Sequence, residues 1–200
     1  MSFSSPYDDV EIPDVSLYDY LFGTIDEADL DRTALIDSKS GSTTTYRQLV
    51  GQIDAAAGAL AARGVGVGDV VAILSPNVPA FATVFHGVLR AGATATTVNA
   101  LFTAPEVAKQ LRDSKARTII TISALAPAAL EAAKEVGLPD AEVIILDGEG
   151  QAVSGHPNAA DLLGAGLSAP DVSFDPATHI AVLPYSSRSD RSGTWASTRR

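Results

Sequence analysis

Apolar runs and amphipathic stretches alternate along most of this sequence. Charge-poor, apolar runs begin near residues 70, 93, 118 and 142, about every 24 residues, which is the length of one strand plus one helix. Continuous apolar strands separated by helices indicate a parallel sheet covered on both faces, because a right-handed crossover helix returns each strand to the same direction. The sequence therefore predicts an α/β fold, namely a doubly wound, mainly parallel sheet with helices on both faces.

Local signals predict where the elements begin and end. Thr45 precedes Gln48 by three residues and Thr103 precedes Glu106 by three, a spacing typical of capping boxes at helix starts. Strands are predicted at residues 70–74, 93–98, 118–122, 142–146 and 179–184, and a hairpin at 33–37 and 42–45. Helices are predicted at residues 46–63, 80–91 and 124–136, and a further helix is predicted to start after Thr103. Residues 147–175 are interpreted as a connector with a short helix around Leu162 and Leu163.

Composition divides the chain into three parts. Residues 1–32 form an acidic leader that we expect to be irregular, residues 33–187 form the α/β domain, and residues 188–200 form a basic tail. The tail holds four of the ten arginines, no lysine and the only tryptophan, Trp195. It carries a net charge of +3, whereas the preceding residues carry −13, so the tail differs in kind from the domain before it.

Charge and cysteine content exclude several classes of function. A net charge of −10 repels nucleic-acid phosphates and anionic lipid, and four tail arginines are a weak electrostatic footprint on such a chain. The uncharged residues 70–89 are interrupted by Pro76 and Pro79, so they predict a strand and a helix rather than a membrane span. The absence of cysteine removes thiol chemistry and fits a cytoplasmic location. We therefore expect no nucleic-acid partner, no membrane span and a cytoplasmic protein.

The residues that most often carry chemistry are isolated in this sequence. The glycines at positions 64, 66 and 68 follow a predicted helix and precede a strand, the reverse of a phosphate-binding loop, so a turn is the better interpretation. His86, His156 and His179 have no histidine or carboxylate at a metal-binding or catalytic spacing. The acidic cluster of Asp8, Asp9 and Glu11 lies in the leader and is interpreted as solvated. The sequence thus predicts no catalytic residue and no metal site.

Several motifs, in order and with matching spacing, resemble the amino-terminal domain of one enzyme family. They are Ala34-Leu35-Ile36-Asp37, Thr45-Tyr46-Arg47-Gln48-Leu49, Gly68-Asp69-Val70-Val71-Ala72-Ile73-Leu74-Ser75-Pro76-Asn77, Phe85-His86-Gly87-Val88-Leu89-Arg90-Ala91-Gly92-Ala93, Thr96-Thr97-Val98-Asn99 and Asp175-Pro176-Ala177-Thr178-His179-Ile180-Ala181-Val182-Leu183-Pro184-Tyr185-Ser186-Ser187. The chain resembles 4-coumarate–CoA ligase-like and fatty-acyl-CoA synthetases of the adenylate-forming, AMP-dependent synthetase/ligase superfamily. The resemblance covers residues 10–187 and implies that residues 33–187 are part of that family's N-terminal domain.

The resemblance also implies a reaction and a nucleotide site. Intact members use ATP, Mg²⁺ and CoA to convert a carboxylic acid to an acyl-CoA through an acyl adenylate, releasing AMP and pyrophosphate. Tyr185, Ser186 and Ser187 match the start of the family's ATP-phosphate loop, which continues with glycines, threonines and a lysine. Here residues 188–193 are Arg-Ser-Asp-Arg-Ser-Gly, and no lysine follows Lys134. No catalytic residue of the family can be assigned, and no cofactor is expected for this chain.

We therefore expect a truncated homologue that is inactive by itself, with apolar surface that promotes self-association. The alternative is a non-catalytic acyl-binding or interaction module that docks on an intact ligase. The abrupt change after Ser187 is the pattern that a reading-frame shift in a GC-rich gene would produce. Sequencing the coding DNA tests this hypothesis, because the complete loop motif should then appear in a neighbouring frame.

Overall fold

The computed structural model describes residues 5–8, 10–147 and 155–185. Its strands are β1 (Thr33–Ile36), β2 (Thr43–Thr45), β3 (Val70–Leu74), β4 (Thr94–Val98), β5 (Thr118–Thr121) and β6 (Val143–Ile145). Its helices are α1 (Leu17–Phe22), α2 (Tyr46–Ala62), α3 (Pro79–Arg90), α4 (Ala104–Ser114), α5 (Ala126–Val136) and α6 (Ala159–Gly164). Short 3₁₀ turns lie at Glu27–Asp29, Ser123–Leu125 and Asp140–Glu142.

Strands β3 to β6 form one parallel sheet in the order β4-β3-β5-β6. Ala72 at the centre of β3 pairs with Thr96 of β4 on one side and with Ile119 of β5 on the other. The connection from β3 to β4 runs through α3, and the connection from β5 to β6 runs through α5 in the opposite direction along the sheet. The predicted parallel sheet is confirmed.

Helices cover both faces of this sheet, as the sequence predicts. Successive β3 residues point to opposite faces, so Val71 and Ile73 join the core beneath α2 and α3, while Ala72 and Leu74 join the core beneath α4 and α5. All four side chains are at most 1% exposed. The fold is therefore a three-layer α/β arrangement with one apolar core on each side of the sheet.

The predicted helix starts are confirmed in atomic detail. The Gln48 N–H donates to Thr45 Oγ1 at 3.3 Å, and the Thr45 N–H donates to Gln48 Oε1 at 2.9 Å, so each residue satisfies an otherwise free amide of the other. The Thr103 N–H likewise donates to Glu106 Oε2 at 2.8 Å. The predicted hairpin forms from β1 and β2, and the short helix predicted around Leu162 is α6.

The expectation of an irregular leader is wrong for residues 17–22, which form α1. Ser16 caps this helix by accepting a hydrogen bond from the Asp19 N–H at 3.0 Å. The helix is six residues long and none of its side chains is fully buried. Such a helix shows little periodicity in sequence and is held in place by contacts with α3, which a sequence pattern does not reveal.

The strand predicted at residues 179–184 does not form as a regular strand. This segment runs beside β4 and makes one parallel bridge, between Val182 and Ala95. The hydroxyls of Thr94 and Thr96 donate to the carbonyls of Ile180 and Leu183 at 2.6 and 2.8 Å, so side chains replace part of the backbone pairing. Pro184 has no N–H to extend the ladder. The predicted segment therefore does lie alongside β4, at the side of the sheet, but it is not a regular strand.

A helix that crosses a bilayer needs about 20 predominantly apolar residues. Within residues 5–8, 10–147 and 155–185, no helix has both the length and the hydrophobicity for it.

Candidate functional site

The carboxyl ends of β3 and β4 border an open cleft of about 550 Å³. Its walls come from the loops that follow the two strands, from the start of α3 and from the segment beside β4. They include Ser75, Asn77, Phe81, Thr97, Asn99 and Tyr185. Parallel strands end at the same edge of a sheet, and ligands of open α/β sheets bind at this edge. The cleft is the part of the described structure best placed to receive a ligand.

Tyr185 is the one residue of the predicted phosphate-loop start that the structure describes. Its hydroxyl donates to Asp113 Oδ2 at 2.5 Å, which ties the segment beside β4 to the last turn of α4. Burial, reinforced by the hydrogen bond and the negative charge of Asp113, raises the pKa of Tyr185 above its ordinary value. Ser186 and Ser187 lie outside the described residues, as do residues 188–200.

A buried polar network holds the segment that leads to Tyr185. The Ala95 N–H donates to the Ala181 carbonyl and the Leu183 N–H donates to the Ala95 carbonyl, both at 2.9 Å. The Gln110 side-chain amide, 4% exposed, donates to Thr96 Oγ1 at 2.9 Å and to the Thr97 carbonyl at 3.0 Å. A buried amide is normally hydrogen-bonded, and Gln110 meets this need by binding two residues of β4. Gln110 therefore holds β4 against α4.

Sequence reasoning did not identify Asp113 or Gln110 as part of this region. Gln110 follows Val107 by three residues, on the face of α4 that carries Leu111 toward the core, and a polar residue at such a position is a signal for a buried network. Asp113 gives no comparable signal, because it lies 72 residues from its partner Tyr185. Only the fold brings the two side chains together.

The raised pKa of Tyr185 leads to a titration prediction. We expect the Tyr185 phenol to ionise at higher pH than exposed tyrosines, because burial and the nearby Asp113 carboxylate both oppose a phenolate. Asp113→Asn should move this ionisation to lower pH, since it removes the negative charge, and Tyr185→Phe should delete it from the ultraviolet tyrosinate titration. Asp140→Asn, at a carboxylate outside this contact, is the matched control and should leave the curve unchanged. An unchanged curve for Asp113→Asn would contradict the assignment.

The three histidines lie in separate environments. His86 Nδ1 is buried without a hydrogen-bond partner among the described residues, His156 Nδ1 lies 2.9 Å from the Asp140 carbonyl, and the His179 ring stacks on Phe174 with 4.0 Å between centroids. Burial lowers the pKa of His86 and of His179. In the part of the chain that the structure describes, no group of three or more His, Asp or Glu residues is arranged to hold a metal ion.

The glycine-rich segment 64–68 forms the predicted turn between α2 and β3. Gly64 and Gly68 adopt φ angles of 77° and 91°, which non-glycine residues rarely tolerate. Asp69 Oδ2 accepts the Gly66 N–H at 2.9 Å and Arg117 Nη1 at 3.2 Å. The turn lies at the amino end of β3, the opposite edge of the sheet from the cleft, so its glycines serve the connection between the two elements.

Comparison with known sequences assigns the family. The sequence profile described as AMP-binding enzyme matches residues 24–189, which is most of the chain. This chain belongs to the AMP-binding enzyme family. The match ends within two residues of the point where the basic tail begins.

Curated relatives of this chain include two 4-coumarate–CoA ligases. It is 35% identical over 190 residues to 4-coumarate–CoA ligase 5 of Oryza sativa subsp. japonica, covering 92% of this chain and 33% of the relative. It is 36% identical over 186 residues to 4-coumarate–CoA ligase 3 of the same organism, covering 92% and 32%. The chain therefore spans about a third of the length of the curated relatives that it matches.

Solved structures show the same fold. The crystal structure of the anthranilate CoA ligase AuaEII in complex with anthranoyl-AMP has a TM-score of 0.77 at 24% identity, covering 88% of this chain and 33% of that protein. A long-chain-fatty-acid–CoA ligase (FadD1) from Archaeoglobus fulgidus also has a TM-score of 0.77, at 19% identity, covering 92% of this chain and 37% of that protein. At these identities the likeness establishes the fold of the AMP-binding enzyme domain.

Proposed function

We propose that this chain corresponds to the amino-terminal part of an acid–CoA ligase and that a polypeptide of this sequence does not complete the ligase reaction. Residues 33–187 would be part of the adenylate-forming N-terminal domain, and residues 188–200 a segment foreign to it. Its 4-coumarate–CoA ligase relatives support the reaction class, which is acyl-CoA formation from an aryl or fatty acid by way of an acyl adenylate. The absence of cysteine supports a cytoplasmic location.

One observation carries the proposal of inactivity. The chain resembles the family up to Ser187 and then reads Arg-Ser-Asp-Arg-Ser-Gly where the family has its glycine-rich loop and lysine. Adenylation needs donors and positive charge around the ATP phosphates, supplied by close backbone amides and by a lysine. A side chain in place of a loop glycine blocks the close approach of the backbone, and arginine has a different shape and reach from lysine. Tyr185 therefore leads into a segment without the required groups.

A pyrophosphate assay tests the proposal. With ATP, Mg²⁺, CoA and a panel of aryl and fatty acids, we expect pyrophosphate release by the purified chain to equal the rate without acid. A full-length 4-coumarate–CoA ligase assayed in parallel shows that the reagents support turnover. Release that depends on the acid and scales with the concentration of this chain would overturn the proposed inactivity.

The alternative role, binding of an acid or docking on an intact ligase, predicts a different result with the same protein. Titration calorimetry should then give saturable heat with an acid from the panel, or an intact ligase should co-purify with the chain, while pyrophosphate release stays at background. Neither heat nor a partner is expected under our primary proposal.

Size-exclusion chromatography with light scattering tests the expected self-association of the chain. Its apparent molar mass should rise as the protein concentration is raised.

A further inference from the structure

Helix α1 lies across the pair formed by α2 and α3. We call residues 16–23 the strap. At its first turn, the Tyr18 hydroxyl donates to Asp54 Oδ1 of α2 at 3.2 Å. Arg90 of α3 donates to the same oxygen through Nε at 3.2 Å, and its guanidinium carbon lies 5.0 Å from the centre of the Tyr18 ring. A helix of six residues is unstable alone, so these contacts and those of its last turn hold the strap.

The last turn of the strap rests on His86. The Phe22 ring meets the imidazole at a centroid distance of 4.9 Å and an interplanar angle of 82°, and Phe85 meets it at 5.2 Å and 87°. His86 Nδ1 is buried and, among the described residues, has no hydrogen-bond partner. A neutral imidazole tolerates such aromatic surroundings, whereas an imidazolium loses hydration at Nδ1 that nothing here replaces.

The charged and titratable groups nearby are engaged elsewhere. On α1, the Tyr18 hydroxyl is bound to Asp54, and Asp19 accepts from the Ser16 hydroxyl at 2.7 Å. On α2, Asp54 is shared by Tyr18 and Arg90. None of these groups hydrogen-bonds the imidazole of His86. Burial is accordingly the cause that lowers the pKa of His86.

We propose that the strap is a pH-sensitive element, and that protonation of His86 beneath Phe22 releases α1 from α3. The direction follows from linkage. The released state exposes His86 and binds a proton more readily, so the closed state is fully favoured above the ordinary histidine pKa of about 6.5. The closed state loses stability as the pH falls through that value. The loss levels off once the pH is below the lowered pKa that His86 has in the closed state. This inference is independent of the ligase reaction.

A groove of about 230 Å³ lies between the closed strap and residues 174–182, and release would remove one of its sides. Leu17 and Tyr18 line the strap side of this groove, and Phe174 and His179 line the other side. Leu89 of α3 also lines the groove. His179 also has a pKa lowered by burial, so it must be tested separately. Opening at low pH would expose the apolar side of Leu89 to solvent.

Hydrogen exchange of strap amides tests the proposal. The Tyr20 N–H donates to the Ser16 carbonyl at 2.9 Å and the Gly23 N–H to the Asp19 carbonyl at 2.8 Å, so both report whether α1 is formed. After correction for intrinsic rates, we expect their protection to fall about fivefold between about pH 7.5 and about pH 5.5 in the unmodified chain. Amides of β3 should keep their protection, which shows that the domain remains folded.

Three variants decide the cause. His86→Phe keeps an aromatic ring but removes the group that binds the proton. His86→Gln also removes that group and has no ring. Both variants should therefore abolish the pH dependence of strap protection. His179→Gln is the matched control and should retain the fall. The proposal is overturned if protection in the unmodified chain does not change with pH, if both His86 variants still show the fall, or if His179→Gln alone removes it.

Discussion

Ile73→Ala is expected to lower the free energy of unfolding by about 3 to 4 kcal/mol. Ile73 lies on β3, the strand between β4 and β5, and its side chain is 0% exposed in the core beneath α2 and α3. The substitution removes three buried carbon atoms and leaves a cavity that the flanking strands cannot close without losing their register. Since domains of this kind have about 5 to 15 kcal/mol of stability in total, the loss is a large fraction.

Ile36→Ala is the matched control for this substitution. Ile36 ends β1 and is 68% exposed, so the same change of side chain should cost less than about 1 kcal/mol. Urea unfolding followed by circular dichroism measures both variants against the unmodified chain. Equal losses for the two variants would show that the core beneath α2 and α3 is not packed as described.

The sequence predicted most of the sheet because its signals are local. Both capping boxes join residues three positions apart, and β3 and β6 are continuous apolar runs of the kind found in buried parallel strands. The run at residues 179–184 has the same composition, yet it forms a single bridge. It is held against β4 by two backbone hydrogen bonds of Ala95 and by the hydroxyls of Thr94 and Thr96, contacts between residues more than 80 positions apart.

The parts of the site that sequence reasoning missed are contacts between distant residues. Tyr185 and Asp113 are 72 positions apart, and Tyr18 and Asp54 are 36 apart. His86 has no titratable neighbour at a catalytic spacing in sequence, and its aromatic partner Phe22 belongs to a helix that the sequence did not predict. The partners of a single polar residue can therefore be identified only when the packing of the helices is known.

The cleft lies close to the point in the chain where the family match ends. Tyr185 is the last residue described, and it lies in the cleft at the carboxyl edge of the sheet. The matching region of the AMP-binding enzyme family extends to residue 189, only just beyond it. If residues 185–187 begin a phosphate loop, as we propose, the residues that would contact phosphate follow in the segment where the sequence departs from the family's motif.

The second large effect is expected at the crossing of α2 and α3. Gly87→Val should lower the free energy of unfolding by about 3 kcal/mol, because even a Cβ at this position would lie 2.7 Å from the Ala56 Cβ and 3.5 Å from the Ile53 carbonyl oxygen. Relief would require α3 to move away from α2 and from the core that both helices cover. Thermal and urea unfolding measure the loss.

Gly51→Val, on an exposed position of α2, is the matched control and should be neutral or slightly stabilising. A Cβ there meets nothing within 4 Å, and valine is a better helix former than glycine. A second test isolates the contact itself. Gly87→Ala places only the Cβ against Ala56, so its cost should shrink when Ala56→Gly is added, since the opposing methyl group is then gone. If the Ala56→Gly change makes Gly87→Ala no less harmful, the close approach of the two helices is not the cause of the loss.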